Sequence, residues 1–262
     1  MSAEFKSFLV KSMPEVESSI PHALKQMGVT AKQFCSYFYL WIRGESQALD
    51  FANKDPMSWY KEFLLAVQLG LAIGSGPATE AYITYDKRTG KPKLMTGWKG
   101  VKKIAILAGV QDLWPITIHE NDECEVIQGT EPKLIHKVNL GDNGRGRLVA
   151  VAVVATLPNG AKHFHIKTEK ELAKWRQDFA PRSQVWAKFP LEMRKKTVLI
   201  QLCKELPTGI GLTKWGAVFQ EVVGREEYEA VGVETNPETI KIAMDARNAD
   251  EKVNGQADSP SN

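Results

Sequence analysis

Seven Lys or Arg and no acid lie between Lys87 and Lys103, and six more, opposed only by Glu192, lie between Arg182 and Lys204. In the first run, TGWKGVKKIAILAG sets Trp98, Lys99, Lys102 and Lys103 among glycines at the mouth of an apolar, helix-spaced stretch. An aromatic ringed by ammonium groups suits a nucleotide chain, the ring taking a base and the charges taking phosphates. Gly97 and Gly100 fit that chemistry, because residues without Cβ let backbone amides come close to what they bind. Lys93 belongs to the same run. In the second run, FPLEMRKKTVLIQLCKELP brings Arg194, Lys195, Lys196 and the Thr197 hydroxyl onto one helical turn, a set suited to phosphate oxygens. Lys195 projects onto the extension of an apolar stripe, Val198, Leu199, Leu202 and Leu206, where a lysine ordinarily lays its stem along apolar surface. Arg147, at the entrance to an apolar run, completes the candidate cations.

Other constellations carry less. His163 and His165 alternate along one strand, but no third ligand at metal spacing accompanies them, and solvent-facing strand histidines account for the pair. His119, Asp122, Glu123 and Glu125 could form the carboxylate cluster of a metal-dependent nuclease; turn and exposed-strand acids account for them equally well. GSGPATEA lacks the Gly-Lys-Ser/Thr ending of a P-loop, which argues against an ATP-driven recombinase. Cys35, Cys124 and Cys203 are odd in number and in no CxxC spacing, as expected of reduced thiols in a cytoplasm rather than a disulfide frame or zinc site. The sequence thus predicts neither a metal nor a cofactor.

The elements that must position these groups are mixed. KQFCSYFYLWIRG has a helical period ending at Gly44, and Ser58 is placed to cap WYKEFLLAVQLGLAIG ahead of GSGP. TEAYITY and KLMTGW, joined by DKRTGKP, predict a hairpin over 80–98, and the helical spacing from Val101 to Ala108 ends at Gly109. PITIHE, ECEVIQG and PKLIHKV predict further strands. RLVAVAVVATL is too apolar to face water on either side and predicts a central buried strand. Pro158-Asn159-Gly160 turns it into AKHFHIK, and Thr168 with Glu171 is a capping box opening TEKELAKWRQDF. A last long helix is predicted from Val185 to Leu206, before Pro207.

The 262 residues, 43% hydrophobic, suffice for one sizeable core with a helical annex. No apolar run approaches the roughly 20 residues of a membrane span, and charges interrupt the N-terminal stretch that a secretion signal would need. From residue 226 onward nine Asp or Glu oppose three Lys or Arg, a net of −6, which leaves +9 on residues 1–225. A basic body with an acidic tail is the pattern of a polyanion binder. The tail's composition predicts disorder, with a short helix possible in GVETNPETIKIAMDAR. The predicted organisation is a single domain over 1–225, mainly helical over 1–75 and β-rich with helices over 76–207, followed by the tail over 226–262.

Laid in order, these segments resemble the RecT family of phage and prophage single-strand annealing proteins, from about Ala31 to Pro207. AVQLGLAIGSGPATEAYITY is similar to the family's Leu-Gly-Leu helix end and first strand. TGWKGVKKIAILAG is similar to its aromatic-Lys-Gly helix start, and NDECEVIQGTEPKLIHKV to its element with an Asp, a Gly and a later His-Lys. VWAKFPLEMRKKTVLIQLCKELP is similar to its Trp, Met-x-x-Lys-Thr and Leu-Pro helix. This chain departs at Glu123-Cys124, where an aromatic often follows the Asp, and at Ile200-Gln201, where arginines are common. The resemblance implies an α+β fold with a β-β-β-α annealing-protein core, an N-terminal helical region and a long C-terminal helix. It also implies ATP-independent annealing of complementary strands, with single-stranded DNA and the annealed duplex intermediate as ligands and a ring or helical filament as assembly. A phage 5′-to-3′ exonuclease and the host single-strand-binding protein are the implied partners, in the bacterial cytoplasm. The rival readings are a passive single-strand-binding protein and the metal-dependent nuclease.

Overall fold

The computed structural model describes residues 3–74, 79–86, 89–181 and 183–206. The acidic tail from 226, its possible short helix, most of the GSGP breaker, part of the DKRTGKP turn and Arg182 lie outside the described residues. The chain divides into two compact units, Met1–Gly100 and Val101–Asn262.

The first unit carries helices α1 (Ala3–Lys11), α2 (Met13–Ser19), α3 (His22–Gln26), α4 (Ala31–Gly44), α5 (Ser46–Lys54) and α6 (Pro56–Gln68), then the antiparallel hairpin β1 (Ala81–Tyr85) and β2 (Pro92–Thr96). A capping box between Thr30 and Gln33 starts α4, whose buried stripe is Phe34, Cys35, Phe38 and Ile42. Phe38 stacks on Phe63 at 4.6 Å and meets Phe5 edge-on at 6.0 Å, at the centre of this core. Each such fully buried ring contributes roughly 1.5–3 kcal/mol. Helix α6 begins before the expected Ser58 cap: Pro56 occupies its first turn and Asp55 caps it, Oδ1 accepting from the Ser58 amide at 3.2 Å. The Glu62 carboxylate accepts from the Leu94 amide at 2.6 Å and so ties α6 to β2. All three cysteines are free, and burial pushes the Cys35 thiol up to about 11.

Helix α7 (Trp98–Leu107) spans the division between the units. The second unit then runs through β3 (Asp112–His119), β4 (Glu123–Ile127), β5 (Lys133–Lys137), β6 (Leu148–Thr156), β7 (Lys162–Thr168), α8 (Glu169–Phe179), α9 (Gln184–Lys188) and α10 (Pro190–Glu205). Strands β3, β6 and β7 form one antiparallel sheet in the order β3-β6-β7, and β4 pairs with β5 as a separate hairpin. The apolar run expected to be central is central: Val151, Ala152, Val153 and Ala155 of β6 are fully buried. Pro115 sits within β3, which an edge strand tolerates. Gly160, at φ +80, closes the β6–β7 turn, and the Thr168–Glu171 capping box opens α8. The three strands and α8 make the β-β-β-α unit, with the β4–β5 hairpin inserted after its first strand.

Register assigns the two sheet faces. Trp114, Val154 and Phe164 lie in one row, and Ile116, Ala152 and Ile166 in the next row of the same face. There Ile118, Ala150 and Ala152 form a small core, against which Ile116, Ile166 and Leu134 of β5 pack. The alternate residues face the helices: His165, opposite Val153, brings Nδ1 to 2.9 Å from the Glu205 carboxylate of α10. His163 and His165 are therefore half-buried rather than solvent-facing. The stretch expected as one helix from Val185 to Leu206 is two. Phe189 leaves helical geometry at φ −131, ψ 59, because a residue before proline is disfavoured from the α region. Pro190 then starts α10.

Candidate nucleic-acid interface

The glycines at the mouth of α7 serve the protein's own backbone rather than an open approach to a ligand. A Cβ on Gly97 would stand 2.3 Å from the Thr79 carbonyl oxygen, and one on Gly100 2.1 Å from that of Glu80. The Gly97 amide donates to that Glu80 oxygen at 2.8 Å. Trp98 is half-buried, and the exposed Lys99 holds its ammonium 5.8 Å from the indole centroid. Lys93 on β2 and Lys103 on α7 are half-buried. Lys102 sits 2.8 Å from Asp112 and 5.1 Å from the centroid of Trp114. Its hydrogen bond holds the Asp112 carboxyl below the usual carboxylate range.

The turn of α10 is more committed than its charges suggest. Arg194 grips Glu169 with two nitrogens, Nε at 2.6 Å, and its guanidinium lies 5.9 Å from the Trp186 ring. Lys195 pairs with Glu192 one turn back at 3.1 Å. Lys196 and Thr197 are each only 5% exposed, and the Thr197 hydroxyl donates to the Met193 carbonyl at 2.9 Å. The stripe Val198, Leu199, Leu202 and Leu206 is buried as expected. Arg147 is exposed and pairs with Glu120 at 3.0 Å. Of the ten candidates, Lys102 is the one the structure sets against an exposed aromatic of the sheet.

The acids of the 119–125 stretch separate. Glu123 is exposed and pairs with Lys137 at 2.9 Å, and Glu125 is exposed on β4. The Asp122 side chain is fully buried. Its Oδ1 accepts from the Asn139 amide at 3.0 Å and Arg145 Nε at 3.1 Å. Its Oδ2 accepts from the His119 amide at 3.0 Å and Arg145 Nη2 at 2.6 Å, and lies 3.0 Å from His136 Nε2. The Arg145 guanidinium holds this carboxyl far below the usual range; desolvation opposes it, and the His136, Asn139 and His119 hydrogen bonds add to it. Asp122 thus knots the end of β3, the base of the β4–β5 hairpin and the loop before β6. Five donors occupy the roughly four lone-pair positions of a carboxylate, so the knot spends the acid a nuclease would need. Among the described residues no group of three or more His, Cys, Asp or Glu could hold a metal ion. Arg145, 23 residues from Asp122, was invisible to motif reading.

Beside the knot, the sheet face is open. A cleft of about 660 Å³ lies over Trp114, Val154 and Phe164, bounded by Lys162, by Arg145 and by Pro132, Lys133 and Leu134 of the hairpin. Among the described residues no Asp or Glu lines it. Trp114, 61% exposed, sits at the N-terminal end of the stretch read as a strand from Pro115, and nothing in its neighbours marks it as uncovered.

No described helix is long and apolar enough to cross a membrane. No curated protein matches the chain. The family model of the RecT family matches residues 42–241, well over half of the sequence and including the α7 mouth, the Asp122–His136 element and α10. On that match the chain belongs to the RecT family, whose members are single-strand annealing proteins of recombination rather than bond-making or bond-breaking enzymes.

Proposed function

We propose that this protein binds single-stranded DNA and anneals complementary strands without ATP, in homologous recombination of the phage type, as a homo-oligomer in the bacterial cytoplasm. The observation that carries this reading is the family match over 42–241. Cations neutralise phosphates and release counterions, which gives sequence-tolerant, salt-sensitive binding. Apolar and aromatic groups hold bases in a geometry that a second strand can test, and base pairing supplies the selectivity. Of the candidate cations, Lys99 is exposed and so more open to a phosphate than the buried Lys196. A 5′-to-3′ exonuclease would supply the single strands, and the host single-strand-binding protein would be displaced from them.

The internal use of Asp122 favours this over metal-dependent cleavage. The test is conversion of complementary oligonucleotides to duplex by the purified protein in the absence of ATP, with particles imaged before and after the second strand is added. Accelerated annealing with larger assemblies is expected. Strand protection without acceleration would make the protein a passive single-strand binder, and divalent-metal-dependent cleavage lost in Asp122→Ala would restore the nuclease.

A further inference from the structure

We propose that the cleft over Trp114, Val154 and Phe164 is a base-holding subsite, in which unpaired nucleobases of a single strand stack on the exposed indole while their phosphates run along Lys162 and Lys133. The inference rests on the single-strand reading above. Three independent features meet here. The cleft, about 660 Å³, falls within the roughly 300–1,000 Å³ of sites that enclose small ligands. It is walled by two aromatics in one register row: Trp114 on one edge strand and Phe164 on the other, with only the small Val154 between them. Adjacent strands lie about 4.8 Å apart, so those two residues stand about 10 Å apart across a shallow floor.

Its charge is of one sign. Lys133, Lys162 and Arg145 line the cleft, and among the described residues no carboxylate does. Arg145 is committed to Asp122, which leaves the two lysines, both exposed, at the rim. Lys102 over the Trp114 ring, with its pair to Asp112, braces the indole from one side. A 61% exposed tryptophan at the wall of an acid-free cleft is an apolar surface that pays a hydration penalty until something flat covers it. Bases offer such a flat face in every sequence, which is what annealing without sequence preference requires.

The test uses the full chain with oligo-dT and with an abasic deoxyribose-phosphate oligomer of the same length, in parallel with an annealing assay. Wild-type protein should prefer the base-bearing strand. Trp114→Ala should bind oligo-dT about tenfold more weakly, bind the abasic oligomer as wild type does, and keep its melting temperature because the side chain is exposed. Trp114→Phe should restore most of the preference. Lys162→Ala should weaken both strands alike and lower the salt slope by about one ion. If wild-type protein anneals but Trp114→Ala discriminates between the two strands as before, the subsite is overturned and the annealing reading stands. If wild-type protein does not anneal, that reading fails first; retention of base-against-abasic discrimination by wild type alone would still support the subsite.

Discussion

The two faces of the β3-β6-β7 sheet differ in how far their polar groups are already spent. On the helix-covered face, Arg194 is held by Glu169, His165 by Glu205, and the Thr197 hydroxyl by its own helix. The face beneath the β4–β5 hairpin is covered where Leu134 packs, and among the described residues the Trp114–Val154–Phe164 row beyond it opens to solvent between lysines. The sequence sets Arg194, Lys195 and Lys196 side by side on the first face, yet the structure keeps accessible aromatic and cationic groups together on the second. Charge density along a chain marks where cations are; a site also needs them uncommitted, because a partnered ion must lose its partner before it gains another.

The comparison breaks most visibly at the knot that positions the hairpin. Asp122→Asn removes the buried charge that Arg145 neutralises and leaves the half-buried guanidinium partly unpaired, a change that costs more than loss of a pair exposed on both sides. The melting temperature should fall by on the order of 10 °C, and the cleft should lose its hairpin wall. The pH dependence follows the same group. Its folded carboxyl lies far below the ordinary value of 3.8, so its stabilisation is complete above that value and is withdrawn as the pH falls below it. Acid melting curves of wild type should therefore steepen below that point and those of Asp122→Asn should be flatter; equal slopes would remove Asp122 from the knot's energetics.

What could be read beforehand was what is local. The Thr168–Glu171 box, the Pro158-Asn159-Gly160 turn and the apolar run of β6 each depend on neighbours within a few residues, and each stands where expected. The errors share a different origin. Ser58 lost its cap to Asp55 because Pro56 starts a helix well, a competition decided by one residue. Gly97 and Gly100 suit a ligand's close approach by residue type alone, but the carbonyls of Thr79 and Glu80 take that room. The Asp122–Arg145 pair and the exposure of Trp114 depend on which strands end up adjacent, which no spacing along the chain encodes.

A smaller effect separates the two faces at α10. Lys196 is 5% exposed, so Lys196→Ala should lower the melting temperature by a few degrees, as loss of a buried, engaged side chain does, while leaving the salt dependence of binding per folded molecule unchanged. Loss of about one ion from the salt slope with normal melting would instead place this lysine on the strand, and the helix-covered face would have to open on binding.

The smallest effect is expected at Arg147, where the comparison can be made most sharply. Its pair with Glu120 is exposed on both sides, at 3.0 Å, and pairs of that kind are screened and contribute little. Arg147→Ala should melt as wild type does. Glu120 already neutralises part of the charge that Arg147 could offer a phosphate, so the salt slope should fall by less than the full ion expected for Lys162→Ala. Removing the acid should do the reverse: Glu120→Gln frees the guanidinium, and binding at low salt should tighten slightly, with the gain vanishing as added salt screens it. If Arg147→Ala lowers the slope as far as Lys162→Ala does, the pair opens on DNA, and a partnered cation counts as fully as an uncommitted one.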